Sequence, residues 1–264
     1  MYVDVHTHLT HETFKDDLVP VIKRSIASGL KAIVVNGLEP KSNRHILKLS
    51  EQYPEIIPAL GIYPIDAVNG IVQDLPFPVA KFDVDEEIDF IAQQASAGKI
   101  KAIGECGLDG YWIKEDTFRE QERVFEKLID IAQANSLPLI IHTRKLEKRA
   151  MEILEHHQVE KVDFHCYGGK VKLALRAAQQ HGWYFSIPAN ARKNQAFTKL
   201  LQELPEECIL TETDAPYLSP IQGERNEPNR VIGTIDYLAE LRSWDVEKAK
   251  NMVWKNYQTL FSIT

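Results

Sequence analysis

Histidine and carboxylate residues are spaced along this 264-residue sequence in a pattern that is typical of a divalent-metal site. Six of them stand at the ends of short apolar runs: His6, His8, Glu105, His142, His165 and Asp214. Imidazole and carboxylate ligands without thiolates suit Zn²⁺, Mn²⁺, Ni²⁺ or iron, and Mg²⁺ is possible where carboxylates dominate. Six ligands are too many for one tetrahedral ion, so the set predicts two divalent metal ions that share Glu105. Such a pair lowers the pKa of a water molecule and clamps the oxygens of an in-line displacement, which is the chemistry of metal-dependent ester hydrolysis.

Each of these residues is weak evidence when it is taken alone. The spacing of His6 and His8 puts both imidazoles on one side of an extended segment. A single histidine at the end of an apolar strand is nevertheless more often a buried core residue than a ligand. The occurrence of all six at the ends of predicted strands favours a metal site instead, because burying several ionisable groups together is costly unless a cation neutralises them.

Three carboxylates have distinct expected roles. Asp214 is expected to be both a metal ligand and the general base that takes a proton from the attacking water. Glu105 is expected to bridge or anchor the ions. Glu212 precedes Asp214 by two residues, and we expect it to hydrogen-bond a metal-ligating histidine.

Cationic, polar and aromatic side chains near the ends of the runs are candidates for substrate contacts. Arg144 follows the fifth run and could bind a phosphate through two parallel hydrogen bonds; a salt bridge at the rim of the fold is an equal alternative. Arg225 and Asn226 lie in the loop after the last run and could add phosphate contacts. Tyr111 and Trp112, after the fourth run, could stack on a base.

Eight short runs rich in apolar and β-branched residues must position these candidates, and they alternate with helical patterns. Strands are predicted at 2–6, 31–36, 56–63, 100–105, 138–142, 161–165, 183–187 and 208–214. Helices are predicted at about 16–28, 40–52, 84–97, 117–137, 145–157, 170–180, 192–203, 228–242 and 245–261. Eight strands that are each followed by a helix predict a (β/α)₈ TIM barrel, whose active sites form at the C-terminal ends of the strands. A doubly wound open sheet is the alternative, but the chain has no glycine-rich dinucleotide-binding fingerprint.

The composition predicts one globular domain over residues 1–264, with 44% hydrophobic and 26% charged residues. No apolar stretch approaches the ~20 residues of a membrane helix, and the start of the chain is unlike a secretory signal, so we expect a cytoplasmic protein. The three cysteines are expected to be reduced thiols. With a net charge of −7, a broad basic surface for binding a nucleic-acid duplex is not expected. No obligatory protein partner is evident.

Five motifs are distributed over nearly the whole chain. They read Asp-Val-His-Thr-His-Leu at 4–9, Gly-Glu-Cys-Gly-Leu-Asp at 104–109, Pro-Leu-Ile-Ile-His-Thr-Arg at 138–144, His-Cys-Tyr at 165–167 and Leu-Thr-Glu-Thr-Asp-Ala-Pro-Tyr-Leu at 210–218. Together they resemble the motifs of the TatD family of metal-dependent hydrolases, the TatD-related deoxyribonucleases. The resemblance implies a barrel of the amidohydrolase type with metal ligands at the six residues named above. It also implies phosphodiester hydrolysis, typically trimming of DNA from the 3′ end.

Two positions depart from the pattern of the family that the chain resembles. Tyr63 stands where members usually carry a histidine after the third strand, and a tyrosine keeps a hydrogen bond but cannot carry a positive charge. Gly168 stands where a hydroxyl residue is usual, so one phosphate contact is expected to be missing. Both departures concern the preference for substrate and leave the metal ligands intact.

Other functions stay open at this point. Some similar proteins remove D-amino acids from tRNA, so the alternative is a metal-dependent esterase that acts on aminoacyl-tRNA. A cyclic-amide hydrolase often bridges its metals with a lysine on strand 4, where this chain has Glu105. A non-enzymatic binding protein on a degenerate barrel would be favoured if ligands were broken, but all six are present. The expected partner is therefore DNA with a free end, or aminoacyl-tRNA.

Overall fold

Eight parallel strands in sequential order form the centre of the molecule. The computed structural model describes residues 1–72, 75, 77–113 and 117–263. The strands in this part of the chain are β1 (Tyr2–Thr7), β2 (Leu30–Asn36), β3 (Ile56–Leu60), β4 (Ala102–Asp109), β5 (Leu139–Arg144), β6 (Val162–His165), β7 (Tyr184–Ile187) and β8 (Ile209–Thr211). Each strand pairs in parallel with the next one along the chain. The predicted (β/α)₈ barrel is therefore confirmed.

The first seven α-helices of the described residues lie between consecutive strands, and the last two follow β8. They are α1 (Leu18–Ala27), α2 (Pro40–Gln52), α3 (Val84–Ser96), α4 (Phe118–Ala134), α5 (Glu147–His156), α6 (Val171–His181), α7 (Gln195–Glu203), α8 (Val231–Arg242) and α9 (Val246–Phe261). Phe125 and Leu128 lie on the apolar face of α4 and are completely buried. Burial of a side chain of this kind stabilises the fold by about 1.5–3 kcal/mol. None of the described helices combines the length and the apolar character that crossing a bilayer requires.

The barrel closes where β1 meets the segment that follows β8. Thr7 and Ala215 form a parallel bridge. The amide of His8 donates to the carbonyl of Ala215 at 2.8 Å, and the amide of Asp214 donates to the carbonyl of His6 at 2.9 Å. The hydrogen bonds that close the barrel are therefore made by the residues that were predicted to carry the chemistry.

Some strand boundaries differ from the predicted ones. β4 continues four residues past Glu105 to Asp109, so Glu105 lies inside its strand rather than at its end. β8 ends at Thr211 although a strand was predicted as far as Asp214. The chain leaves the ladder here because the amide of Thr213 donates to the Asp4 carboxylate at 2.9 Å, and Asp214 takes a left-handed φ of 54°.

Gly107 of β4 allows two strands to approach closely next to the site. Its φ is +135°, and a Cβ atom built there would lie 2.1 Å from the carbonyl oxygen of His142. We expect Gly107→Ala to lower the free energy of unfolding by about 2–4 kcal/mol, because backbone strain and overpacking add. The measurement is urea-induced unfolding followed by circular dichroism.

The control is Gly233→Ala in α8, where a Cβ atom would meet open space. This change is expected to raise the free energy of unfolding by about 0.5–1 kcal/mol through helix propensity. Equal stability of Gly107→Ala and wild type would show that the close approach of β4 to β5 is not needed.

Candidate metal centre

The six ionisable residues predicted to bind metal converge at the C-terminal mouth of the barrel. Five different strands or the turns directly after them supply this six-residue cluster, which consists of His6, His8, Glu105, His142, His165 and Asp214. The side chains of the cluster are buried or nearly so, with Asp214 and His142 the most exposed at 13% each. Because the carboxyl ends of the strands meet here, residues far apart in sequence become neighbours.

One half of the cluster combines two histidines with two carboxylates. The Nε2 atoms of His6 and His8 lie 3.1 Å apart. Oε2 of Glu105 lies 3.5 Å from the first nitrogen and 3.2 Å from the second. Oδ1 of Asp214 lies 3.7 Å and 3.4 Å from the same two nitrogens. Each of these two nitrogens therefore lies within 3.7 Å of one oxygen from each carboxylate.

The other half of the cluster is built on the second oxygen of the same glutamate. Oε1 of Glu105 lies 2.9 Å from Nδ1 of His142 and 3.0 Å from Nε2 of His165. The two nitrogens are 3.4 Å apart. Glu105 thus divides its two oxygens between two groups of donors.

The spacing of these atoms fits divalent cations. Ligand atoms at 2.0–2.1 Å from a tetrahedral ion lie about 3.3 Å from one another. The distances within the two halves run from 2.9 to 3.7 Å around that value. His6, His8 and Glu105 form one group of potential ligands, and Glu105, His142 and His165 form another. The donors are imidazoles and carboxylates, which suit Zn²⁺, Mn²⁺ and related ions.

The electrostatics of the cluster favour positive charge. Burial opposes ionisation of Glu105, but the surrounding His165, His142 and His6 outweigh it and hold the pKa of its carboxyl well below the usual range. Burial and the neighbouring His165 lower the pKa of His6 to about 3, so this imidazole is neutral and keeps a free lone pair. Burial also disfavours charge on His8, yet its hydrogen bonds to Asp214 and Glu105 raise its pKa to about 10. The buried carboxylates are therefore stable as anions only next to positive charge, which either protonated histidines or metal ions can supply.

A buried aspartate ties the two closing strands together beneath the cluster. Asp4 of β1 accepts hydrogen bonds from the Thr213 amide at 2.9 Å and from the Thr213 hydroxyl at 2.5 Å. The amide of His6 also donates to it, at 3.3 Å. These bonds fix the backbone directly before Asp214, whose left-handed conformation an aspartate tolerates better than most residues.

Hydrogen bonds from outside the cluster orient two of its histidines. Nδ1 of His8 donates to the carbonyl of Asn36 at 3.2 Å, which leaves Nε2 free for a ligand. Nε2 of His142 lies 3.0 Å from Oδ2 of Asp109, which leaves Nδ1 free in the same way. Gln121 hydrogen-bonds the backbone of Asp109 and helps to hold it. Such partners fix the ring and raise the basicity of a metal ligand.

Asp109 is a residue of the site to which the sequence analysis gave no role. It is completely buried at the end of β4, four residues after Glu105 on the same side of the strand. Burial opposes its ionisation, but the hydrogen bond to His142 outweighs burial, so its pKa lies below the usual value. The spacing from Glu105 is the sequence signal that could have revealed it.

Glu212 lies behind His165 in a second buried acidic group. Its Oε1 faces Nδ1 of His165 at 3.7 Å, which is longer than a hydrogen bond. Its Oε2 accepts from the Ser186 hydroxyl at 2.5 Å, and the same hydroxyl lies 2.9 Å from Asp163. Burial and the charge of Glu212 raise the pKa of Asp163 to about 8. Glu212 therefore faces His165, a candidate metal ligand, without a hydrogen bond to it.

The residues predicted to contact phosphate have different surroundings. Arg144 is exposed at the end of β5, and its guanidinium lies 3.6 Å above the ring of Tyr111. Arg225 instead forms an ion pair with Asp17 at 2.7 Å and lies 4.3 Å above the ring of Phe14. Asn226 is fully buried, and its amide nitrogen donates to the carbonyl of Thr213. The structure thus brings Arg144 to the mouth, while Arg225 and Asn226 contact their own chain.

Tyr63 and Gly168, which depart from the pattern of the family that the sequence resembles, have different surroundings. The ring of Tyr63 packs edge-on against His142, with 4.8 Å between ring centroids. Burial raises the pKa of Tyr63 far above its usual value, so its hydroxyl stays protonated. A Cβ atom at Gly168 would meet no other atom within 4 Å, so the missing side chain leaves open space after β6.

Comparison with known proteins agrees with this architecture. A family model described as TatD related DNase matches residues 3–262. The Bacillus subtilis protein named uncharacterized metal-dependent hydrolase YabD is 30% identical over the whole of both chains. The 3′-5′ ssDNA/RNA exonuclease TatD of Salmonella typhimurium is 28% identical and covers 98% of each chain. The crystal structure of YjjV, a TatD homologue from Escherichia coli, superimposes with a TM-score of 0.86 at 22% identity over 100% of this chain and 98% of that one, a likeness of fold.

Loading with a divalent cation is expected to stabilise the protein through Glu105. At 100 times the dissociation constant, a cation that binds only the folded state adds about 2.7 kcal/mol, or about 5–10 °C in Tm. Differential scanning calorimetry of metal-free protein with added Mn²⁺ or Zn²⁺ measures this rise. We expect Glu105→Gln to abolish it, because Glu105 offers an oxygen to both halves of the cluster.

Glu160→Gln is the matched control, since Glu160 is exposed and precedes β6 at the opposite end of the barrel. It should keep the full rise in Tm. An equal rise in Tm on addition of metal to wild type and Glu105→Gln would show that Glu105 is not needed for metal binding.

Proposed function

The chain belongs to the TatD-related DNase family of metal-dependent hydrolases, and we propose that it hydrolyses phosphodiester bonds of single-stranded DNA from the 3′ end. The observation that carries the proposal is the division of the Glu105 carboxylate between two groups of ligand atoms at the barrel mouth. We assign two divalent cations, Mg²⁺, Mn²⁺ or Zn²⁺, to these two groups. The resemblance to an exonuclease that is named for 3′-5′ action on single strands supports the polarity.

The bound cations would lower the pKa of a water molecule and neutralise the charge of the scissile phosphate. His6, His8 and Asp214 would hold one of them, and His142 and His165 the other, with Glu105 between the two halves. Asp109 and the carbonyl of Asn36 keep the ligand nitrogens turned inward. Proton transfer and orientation of the phosphate would be carried out by side chains of the protein.

Asp214 is the residue that we propose as general base. Its Oδ1 points into the cluster. The Thr213 amide donates to Asp4, and the His8 amide donates to the carbonyl of Ala215, so the backbone is fixed on both sides of Asp214. As water attacks phosphorus and the bond to the leaving 3′ oxygen breaks, Asp214 accepts the proton of the water and returns it to that oxygen. A mononucleotide with a 5′ phosphate and a shortened strand with a free 3′ hydroxyl are the products.

Arg144 is the cation that we propose for orienting the phosphate. It follows His142 by two residues on β5, so both side chains project to the same side of the strand. Among the described residues no carboxylate pairs with its guanidinium, whereas Arg225 is held by Asp17 and Glu227. A planar guanidinium binds two phosphate oxygens at once.

The proposal is tested with Asp214→Asn and an oligonucleotide that carries a label at its 5′ end. With Mn²⁺ present, wild type is expected to produce a ladder of shortened labelled strands. Asp214→Asn is expected to keep the fold and to lower turnover by at least ~10²-fold, because the proton acceptor is lost. Asp89→Asn, an exposed aspartate of α3, serves as the control and should retain wild-type turnover.

A parallel assay with D-aminoacylated tRNA separates the two candidate ester substrates. Release of the amino acid with no shortening of the oligonucleotide would replace the nuclease assignment by a deacylase. Near-normal turnover of DNA by Asp214→Asn would show that Asp214 is not the general base.

A further inference from the structure

Two exposed aromatic side chains, here called the aromatic corner, lie beside the half of the six-residue cluster that contains His142. The aromatic corner consists of Tyr111 and Trp112, which follow Gly110 at the end of β4 and expose 49% and 37% of their surface. Their rings meet at right angles with 4.8 Å between centroids. Two large aromatic rings that are exposed side by side offer a surface against which a planar group can pack.

The aromatic corner is anchored to the metal site by a buried carboxylate. Oδ1 of Asp109 accepts hydrogen bonds from the amides of Tyr111 at 2.7 Å and Trp112 at 3.1 Å. Its other oxygen lies 3.0 Å from Nε2 of His142. One side chain therefore fixes both a candidate metal ligand and the backbone that carries the two aromatic rings.

Two neighbouring side chains complete the corner. The guanidinium of Arg144 lies 3.6 Å above the Tyr111 ring and 5.6 Å from the Trp112 ring. Phe77 packs edge-on against Trp112 with 5.2 Å between centroids and holds its orientation. The flat guanidinium is exposed to solvent, so a further planar group can continue the stack.

We propose that Tyr111, Trp112 and Arg144 form a stacking platform for the nucleobase next to the scissile phosphodiester. The inference rests on the proposed nuclease function and adds how the strand end is recognised. Every base has a π face, so the platform accepts any sequence. A base within a duplex is already paired and stacked, so the platform selects single-stranded ends.

The most direct test changes the substrate and leaves the protein intact. Two oligothymidylates with a 5′ label are compared, one natural and one with an abasic nucleotide at the 3′ terminus. Wild type with Mn²⁺ is expected to remove the abasic nucleotide with a KM about ten- to hundredfold higher than that for the natural one, because one stacking contact is lost. The value of kcat is expected to change much less.

Protein variants test whether the lower KM for the natural 3′ end depends on the platform. Trp112→Ala should raise KM for the natural oligonucleotide and leave KM for the abasic one unchanged, whereas Trp112→Phe should restore most of the preference. Trp244→Ala is the matched control, because Trp244 also lies against cations, Arg242 at 5.4 Å and Lys248 at 4.1 Å, but follows α8 at the far end of the barrel. It should behave as wild type.

Each outcome has a defined meaning. Equal KM for natural and abasic ends in wild type overturns the platform while the nuclease function stands. Equal loss on both substrates in Trp112→Ala also overturns it, since the residue would then act without reading the base. Failure of wild type to shorten either oligonucleotide overturns the proposed function and the platform with it.

Discussion

The burial of Glu105 among histidines is the interaction on which the site depends. Its carboxylate is nearly inaccessible to solvent and lies within 3.5 Å of ligand nitrogens on both sides. A buried anion is stable only when positive charge surrounds it. Divalent cations bound at this point would supply that charge, and their binding would stabilise the folded chain.

The barrel and its site are held together by the same contacts. His6 lies on β1, His8 directly follows it, and the turn after β8 supplies Asp214, so the closing edge of the barrel is also one half of the cluster. Asp4 lies under this edge and binds the backbone on both strands. On the opposite side, Asp109 links β4 to β5 through His142. Asp4 and Asp109, which border the six-residue cluster, therefore help to position its side chains.

Much of the fold could be predicted from the sequence because its strands are continuous apolar runs with strong turn signals between them. The boundaries were harder where polar residues serve tertiary contacts. Asp109 sits in a glycine-containing segment that resembles a turn, yet β4 continues to it because its partner strand β5 extends alongside. Arg225 was expected to bind phosphate from its place in a loop, but Asp17, distant in sequence, holds it in an ion pair. Such long-range partners leave no local pattern.

Whether two cations occupy the mouth can be measured directly by anomalous diffraction from crystals grown with saturating Mn²⁺ or Zn²⁺. We expect two peaks of anomalous density, one beside Nε2 of His6 and His8 and the other beside Nδ1 of His142 and Nε2 of His165, with the Glu105 carboxylate between them. A mouth without anomalous density, or a single peak that leaves one pair of histidines unligated, would contradict the division of Glu105 between two metal ions.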